Sequence, residues 1–361
     1  DDRQTALGAQ LEAGWTGRAL STSHELLAGV EIARLGDEFT LDVGLPPPIT
    51  LEDPVDTTGG SVNLLPGASQ RGDARSVVLA PYVVDRIALG AKVQATIGAR
   101  LDVLDYEEPV SGTQRSDTEL SPMAGLTYTP KPSLTFYAQG GAAFAPPSSL
   151  VVGDRAPERS RQLEAGLKAQ LLSGRGFLTL AGYHLERNDI AIPDATGVTR
   201  QTGDQRSRGF EVEVSAEPVA SWFASAGYAF TDAELTEFTE VVANPLDPTF
   251  FAVLDHSGNT PAFAPRHTFS LWTVKRFGPA AIGGGARYVS AQFIGEDNAF
   301  EIEPYLVVDA MASYRLGRTT LALNAKNLTD REYETRGFGR ASVIPADPFA
   351  LFATIGVAFG R

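Results

Sequence analysis

The chain has 361 residues, a formal net charge of −14 and no cysteine. This excludes a disulfide framework and any thiolate nucleophile or metal site, and it argues against a nucleic-acid partner, which needs a basic face. No run of about 18 apolar residues occurs, so no membrane-crossing helix is predicted, and the opening DDRQTALGAQ has neither Met nor an apolar signal core.

Taken in chain order, the sequence alternates. About fifteen strands are predicted, near 4–16, 22–36, 75–86, 90–104, 118–129, 132–144, 160–172, 175–188, 205–216, 219–232, 264–276, 279–292, 303–315, 318–328 and 347–360. AKVQATIGARL (91–101) sets Val93, Ala95, Ile97, Ala99 and Leu101 against Lys92, Gln94, Thr96 and Arg100. RQLEAGLKAQL (161–171) sets Leu163, Ala165, Leu167, Ala169 and Leu171 against Gln162, Glu164, Gly166, Lys168 and Gln170. GFEVEVSA (209–216), WFASAGYAF (222–230), VVDAMASYRL (307–316) and FALFATIGVAF (349–359) repeat the pattern. A period of two residues is that of a strand with one apolar and one polar face. No segment reads as a helix, which fits an antiparallel meander.

The connections separate two surroundings for those faces. Short turns at 129–133, 172–176, 216–220, 276–280 and 315–319 alternate with long polar loops at 37–74, 105–117, 145–159, 189–204, 233–263, 293–302 and 329–346. A transmembrane barrel alternates in this way, with short turns at one rim and long loops at the other. Charges in mid-strand then face a wet lumen, and Trp222, Tyr228 and Tyr314 suit an aromatic girdle. The expected fold class is therefore all-β, a transmembrane antiparallel meander β-barrel. A soluble sandwich is the alternative. The last strand runs towards the short-turn rim, and counting back starts the first strand at the long-loop rim. Bacterial barrels have even strand numbers with both ends at the short-turn rim, so strands upstream of residue 1 are expected.

Five segments then carry a family resemblance. PERSRQLEAGLKAQ (157–170), QTGDQRSRGFEVEVS (201–215), YAFTDAEL (228–235), FAPRHTFSLWT (263–273) and LALNAKNLTDREYETRGFG (321–339) resemble, in order and spacing, signature segments of TonB-dependent outer-membrane receptors. Within that family the chain looks most like the siderophore receptors. The resemblance implies a barrel of about twenty-two strands around an N-terminal plug, with this chain starting near the eighth strand and lacking plug and TonB box. Residues 1–361 are then one barrel domain. The implied partners are a ferric siderophore or other iron chelate, outer-membrane lipid, and TonB through the N-terminal region, with no nucleic acid. The implied location is the bacterial outer membrane. Most such receptors end in an aromatic residue, whereas here Phe359 is followed by Gly360 and Arg361. A passive, plugless channel and a structural or adhesive barrel are the other readings.

Candidate chemistry is sparse. A lipid-cleaving barrel needs Ser, His and a polar orienter projecting to lipid. His184 is expected beside Glu186 on the lumen face, and no G-x-S-x-G sequence occurs. No enzymatic activity, cofactor or resident metal is expected. The loop FIGEDNAFEIEP gathers Glu296, Asp297, Glu301 and Glu303, carboxylates of the kind that suit Ca²⁺, but its spacing matches no EF-hand. Candidate ligand contacts are Tyr137 on a lumen face, Phe144 at a strand top, Arg206 and Arg208 at a strand mouth facing an anionic chelate, and Phe250, Phe251 and His256 in a long loop.

Overall fold

Fifteen of the alternating segments pair edge to edge in the computed structural model, which describes residues 2–42, 44–45, 63–64, 70–110, 112–145, 156–193, 199–244, 247–338 and 342–359. The strands in chain order are β1 (Asp2–Ala19), β2 (Thr22–Leu41), β3 (Gly44–Leu45), β4 (Asn63–Leu64), β5 (Gln70–Ala88), β6 (Val93–Glu108), β7 (Thr113–Lys131), β8 (Leu134–Ala145), β9 (Glu158–Leu171), β10 (Gly176–Pro193) and β11 (Thr199–Val219). They continue as β12 (Trp222–Asn244), β13 (Asp247–Asp255), β14 (His267–Phe277), β15 (Ala280–Val289), β16 (Gln292–Phe293), β17 (Glu301–Ile302), β18 (Tyr305–Leu316), β19 (Thr319–Lys326), β20 (Glu334–Phe338), β21 (Ser342–Pro345) and β22 (Ala350–Val357). The sheet order is β1-β2-β5-β6-β7-β8-β9-β10-β11-β12-β14-β15-β18-β19-β22, with β13 hanging off β12. Every neighbouring pair is antiparallel, as a meander requires.

Register assigns the faces. Glu164 lies opposite Gln139 and Tyr183, and Leu163 opposite Gly140 and His184. Carried from pair to pair, one face holds Gln10, Glu31, Tyr82, Arg100, Tyr137, Glu164 and Glu211. The other holds Leu11, Leu79, Ile97, Leu163, Phe210 and Leu271. The apolar face is not a core. Leu7 and Ile355 are more than 70% exposed, and Leu163 is 66% exposed. A soluble sandwich would bury these residues; a barrel gives them to lipid. Trp222, Tyr228 and Tyr314 stand on this outward face. Buried apolar side chains such as Leu104, Tyr106, Leu235, Phe238 and Ile302 gather instead towards the long-loop end, beyond the apolar band.

The short turns are as expected, but several long loops are shorter. The predicted loop 105–117 is largely strand, since β6 runs to Glu108 and β7 begins at Thr113. Strand pairing likewise extends to Leu41, Pro193 and Asn244, and part of the predicted loop 233–263 is the β12–β13 hairpin. The physical reason is that a strand leaving the membrane has lipid against neither face, so polar residues can stand on both. The backbone ladder persists while the apolar–polar alternation disappears.

The first turn stores strain. Ala19 pairs with Thr22, leaving a two-residue loop in which Leu20 (φ 49°) and Ser21 (φ 67°) both adopt the left-handed region. Two-residue hairpins favour that geometry but prefer Asn-Gly for it, because a Cβ there costs about 1–2 kcal/mol. The β18–β19 turn solves the same problem with Gly317 (φ 59°). Ser21→Gly is therefore expected to stabilise the protein by roughly 1 kcal/mol. Urea unfolding in lipid vesicles checks this; an unchanged or lowered midpoint would contradict it.

Candidate functional site

The lumen face carries a connected polar wall. Arg100 reaches Glu31 at 2.6 Å and Asp102 at 2.8 Å, and Arg86 reaches Glu25 at 3.0 Å. Gln10 donates to the Tyr82 hydroxyl at 2.5 Å, and that hydroxyl donates to Glu12. The Tyr137 hydroxyl donates to Glu164 at 2.8 Å, joined there by Gln139 at 3.3 Å and Gln162 at 3.2 Å. Lys168 lies 5.5 Å from the centre of the Tyr137 ring, within cation–π range. Arg100, Tyr137, Gln139, Gln162, Glu164 and Lys168 line a concavity of about 690 Å³. Of the expected contacts whose side chains are described, Tyr137 is thus the one on the lumen wall.

Glycines let the aromatic rings lie flat on this wall. Tyr82, Tyr137, Tyr183 and Trp272 sit directly across from Gly29, Gly166, Gly209 and Gly285. A Cβ on Gly166 would come within 2.2 Å of the Leu180 carbonyl oxygen and 2.8 Å of the Tyr137 ring. One on Gly209 would come within 2.0 Å of the Phe230 carbonyl oxygen and 2.8 Å of the Tyr183 hydroxyl. Sequence reading missed Tyr82, Tyr183 and Trp272. The available signal was an isolated strand glycine, which marks a close approach. The triple glycine 283–285 has the same explanation, with Val274 and Met311 against Gly283 and Trp272 against Gly285.

Four expected residues stand on the outward side. Arg206 and Arg208 are on the outward side of β11, opposite Glu234 and Asp232, and they pair with those carboxylates at 2.6 and 2.9 Å. They do not face the lumen. His184 is also outward, opposite Leu163 and Arg208, with Glu186 at 3.1 Å. For His184 the lumen assignment failed because, above the apolar band, the outward face is wet and carries polar residues too. Phe144 shares the outward side of β8. Near the first short turn, His24 joins Thr22 at 2.8 Å and Asp85 at 2.7 Å on the outward face. The Thr22 hydroxyl also meets the Ala19 carbonyl at 2.8 Å, so the trio ties the turn to β5.

At the long-loop end, residues 256–266 and 290–304 are stitched together. Asn298 accepts from Thr260 N at 2.9 Å and donates back to its carbonyl at 2.7 Å. Asn259 donates to the Glu296 carbonyl at 2.8 Å. His256 is buried against Phe238, with its Nε2 3.2 Å from Glu240, so it supports the loop rather than presenting itself to a ligand. Phe251 is exposed on β13, and the side chain of Phe250 lies outside the described residues. The four loop carboxylates are not gathered. Glu296 accepts from Ala262 N and Asp297 from Ala299 N, while Glu301 and Glu303 are exposed. Among the described residues no three acidic or histidine side chains are disposed to hold a metal ion.

Burial pushes the Glu296 carboxyl above its ordinary range, opposed by the Ala262 amide and by His256. The folded loop therefore favours protonated Glu296. Its contribution is full below the ordinary glutamate pKa and is lost as pH rises through the raised value. Glu296→Gln is expected to remove that dependence and slow amide exchange of residues 259–263 at pH 8. Exchange rates that keep the same ratio between pH 5 and pH 8 in both proteins would contradict this.

An antiparallel wall with an apolar outer face, a polar lumen face, short turns at one rim and long connections at the other defines an outer-membrane β-barrel. Residues 1–328 match the family model described as TonB dependent receptor-like, beta-barrel, and the chain belongs to that family. It is 26% identical over 355 residues to the metal-pseudopaline receptor CntO of Pseudomonas aeruginosa, covering 91% of this chain and 48% of that protein. It is 30% identical over 341 residues to the ferrichrome outer membrane transporter/phage receptor of Escherichia coli K12, covering 86% and 42%. The crystal structure of the ferric-catecholate import receptor Fiu from E. coli K12 in its closed form superposes with a TM-score of 0.81 at 21% identity, over 99% of this chain and 55% of that one. The chain thus spans about half the length of the curated relatives it matches. The family consists of receptors and transporters of the Gram-negative outer membrane.

Proposed function

We propose that this chain forms barrel wall of an outer-membrane receptor that takes up a ferric siderophore or similar metal chelate, energised through TonB in the intact receptor. The observation carrying this reading is that relatives matched along 91% and 86% of the chain are receptors for metal chelates. Residues 1–361 act as one barrel domain. The plug and the TonB-contacting segment belong to receptor sequence other than these residues. No reaction is assigned to the chain; its work is to bind, enclose and release. Tyr137 and its polar neighbours serve as the lumen surface past which the chelate moves, and Phe251 is an exposed aromatic at the long-loop end that meets it outside.

Deletion of the whole receptor gene, with growth scored under iron limitation on a panel of iron-loaded siderophores, tests this. One chelate should lose its growth support and regain it on complementation. If every chelate supports growth equally, the receptor reading fails. A large steady current from the intact protein in planar bilayers would favour a passive channel instead.

A further inference from the structure

On the outward side of β12, β14, β15, β18, β19 and β22, from Tyr228 down to the short-turn rim, the described residues carry one charged side chain, Lys275. A charge there is tolerated near the interface and costly deeper in the bilayer. Lys275 stands close to the end of β14, and its Nζ donates to the Ala220 carbonyl of the neighbouring turn at 2.9 Å. The stem therefore lies along the lipid face while the ammonium reaches the rim. An ammonium has three donors. Among the described residues the Ala220 carbonyl is the one acceptor for this ammonium, and no carboxylate pairs with it.

Beside the ammonium lies a groove. Trp222, Thr273, Lys275, Ile282, Gly283 and Gly284 line a concavity of about 470 Å³. Gly283 and Gly285 make room for side chains on the lumen face, but Gly284 points outward, between Thr273 and Ala310. A Cβ on Gly284 would have one neighbour within 4 Å, the Asp309 carbonyl oxygen at 3.2 Å, so the missing side chain leaves the groove floor open. One wall is the Trp222 ring, fixed by its Nε1 donating to the Thr273 hydroxyl at 2.7 Å. The other is Ile282, 60% exposed. An apolar trough ending on an unpaired cation at the periplasmic rim has the shape and charge of a lipid site. We infer that this groove holds one phospholipid of net negative headgroup from the periplasmic leaflet. Its acyl chain lies against Gly284, and its phosphate accepts from Lys275 in a charge-assisted hydrogen bond. A zwitterionic headgroup brings its own ammonium to the same place, where it repels Lys275. The inference rests on the barrel assignment and not on which chelate is carried.

The test uses the intact receptor in detergent micelles, titrated with phosphatidylglycerol or phosphatidylethanolamine of identical acyl chains, with bound lipid counted by native mass spectrometry. Phosphatidylglycerol is expected to bind about tenfold more tightly. Lys275→Gln, which keeps a donor for Ala220, should bring the two lipids to within about twofold while leaving heat-resistant migration in gels unchanged. Gly284→Leu, which fills the floor, should weaken phosphatidylglycerol about tenfold with Lys275 in place. Equal binding of the two lipids to the wild-type protein, a preference that survives K275Q, or full binding to G284L would each overturn the inference. So would displacement of phosphatidylglycerol by millimolar inorganic phosphate, which would make the site one for a simple anion.

Discussion

Leu167→Arg is expected to destabilise the barrel in lipid by about 2–4 kcal/mol, the cost of an arginine on a lipid face near the bilayer midplane. Leu167 lies between Phe136 and Leu180, midway along the outward row from Leu163 to Leu171. The cost should depend on depth. Leu163 adjoins the row carrying His184 and Arg208, so Leu163→Arg is expected to cost only about 0–1 kcal/mol. Lys168→Gln, one residue away on the lumen side, should lose no more than its contact with Tyr137, about 0.5–1 kcal/mol. Urea unfolding in vesicles measures all three. A soluble sandwich predicts a different order, because there the depth of a residue in a bilayer has no meaning. Equal costs for Leu163→Arg and Leu167→Arg would therefore count against the lipid assignment.

Asn327→Ala is expected to be the most damaging change outside the apolar band, at roughly 2–4 kcal/mol. Asn327 is buried and left-handed (φ 47°). Its amide donates to the carbonyls of Arg331 at 2.9 Å and Asp347 at 3.2 Å, and its oxygen accepts from Arg331 N at 2.9 Å. Its own N–H donates to Asp309 at 2.8 Å, and nearby Asp330 accepts from Phe349 N at 2.8 Å. The side chain thus holds the end of β19, the following turn and the approach to β22 together. Alanine leaves three backbone groups without partners and places a residue poorly suited to φ > 0 in a strained position. Loss of heat-resistant migration in gels, with Asn327→Asp retaining more of it than alanine, is the expected pattern. Wild-type behaviour of the alanine variant would contradict the assignment.

The staves were legible and the ends of the staves were not. Between 161 and 171 one face meets lipid and the other a lumen, so each residue type reports its side. From Asp105 to Glu119 lipid touches neither face, and DYEEPVSGTQRSDTE carries no apolar–polar alternation although Asp105–Glu108 and Thr113–Glu119 are paired residue by residue. The same boundary explains why His184 was expected on the lumen side and why Arg206 and Arg208, expected at a strand mouth, turn outward there. Polar type implies lumen only inside the apolar band, and these three lie above it. Tyr137 was legible because its strand alternates cleanly. Its partner Gly166 was not, because a cross-strand pair depends on register, which no single strand contains. His256 shows the same limit: an isolated loop histidine reads as a contact, and only the folded loops reveal that Glu240 and Phe238 enclose it.

The absence of cysteine makes the central claim open to a direct measurement. Single cysteines at each position from Gln162 to Leu171 can carry a nitroxide label, and collision rates with lipid-soluble oxygen and a water-soluble nickel chelate can be compared in membranes. Two patterns of period two in opposite phase are expected, with oxygen favoured at Leu163, Ala165, Leu167, Ala169 and Leu171 and nickel at Gln162, Glu164, Gly166, Lys168 and Gln170. Patterns in the same phase, or nickel access at all ten positions, would contradict it.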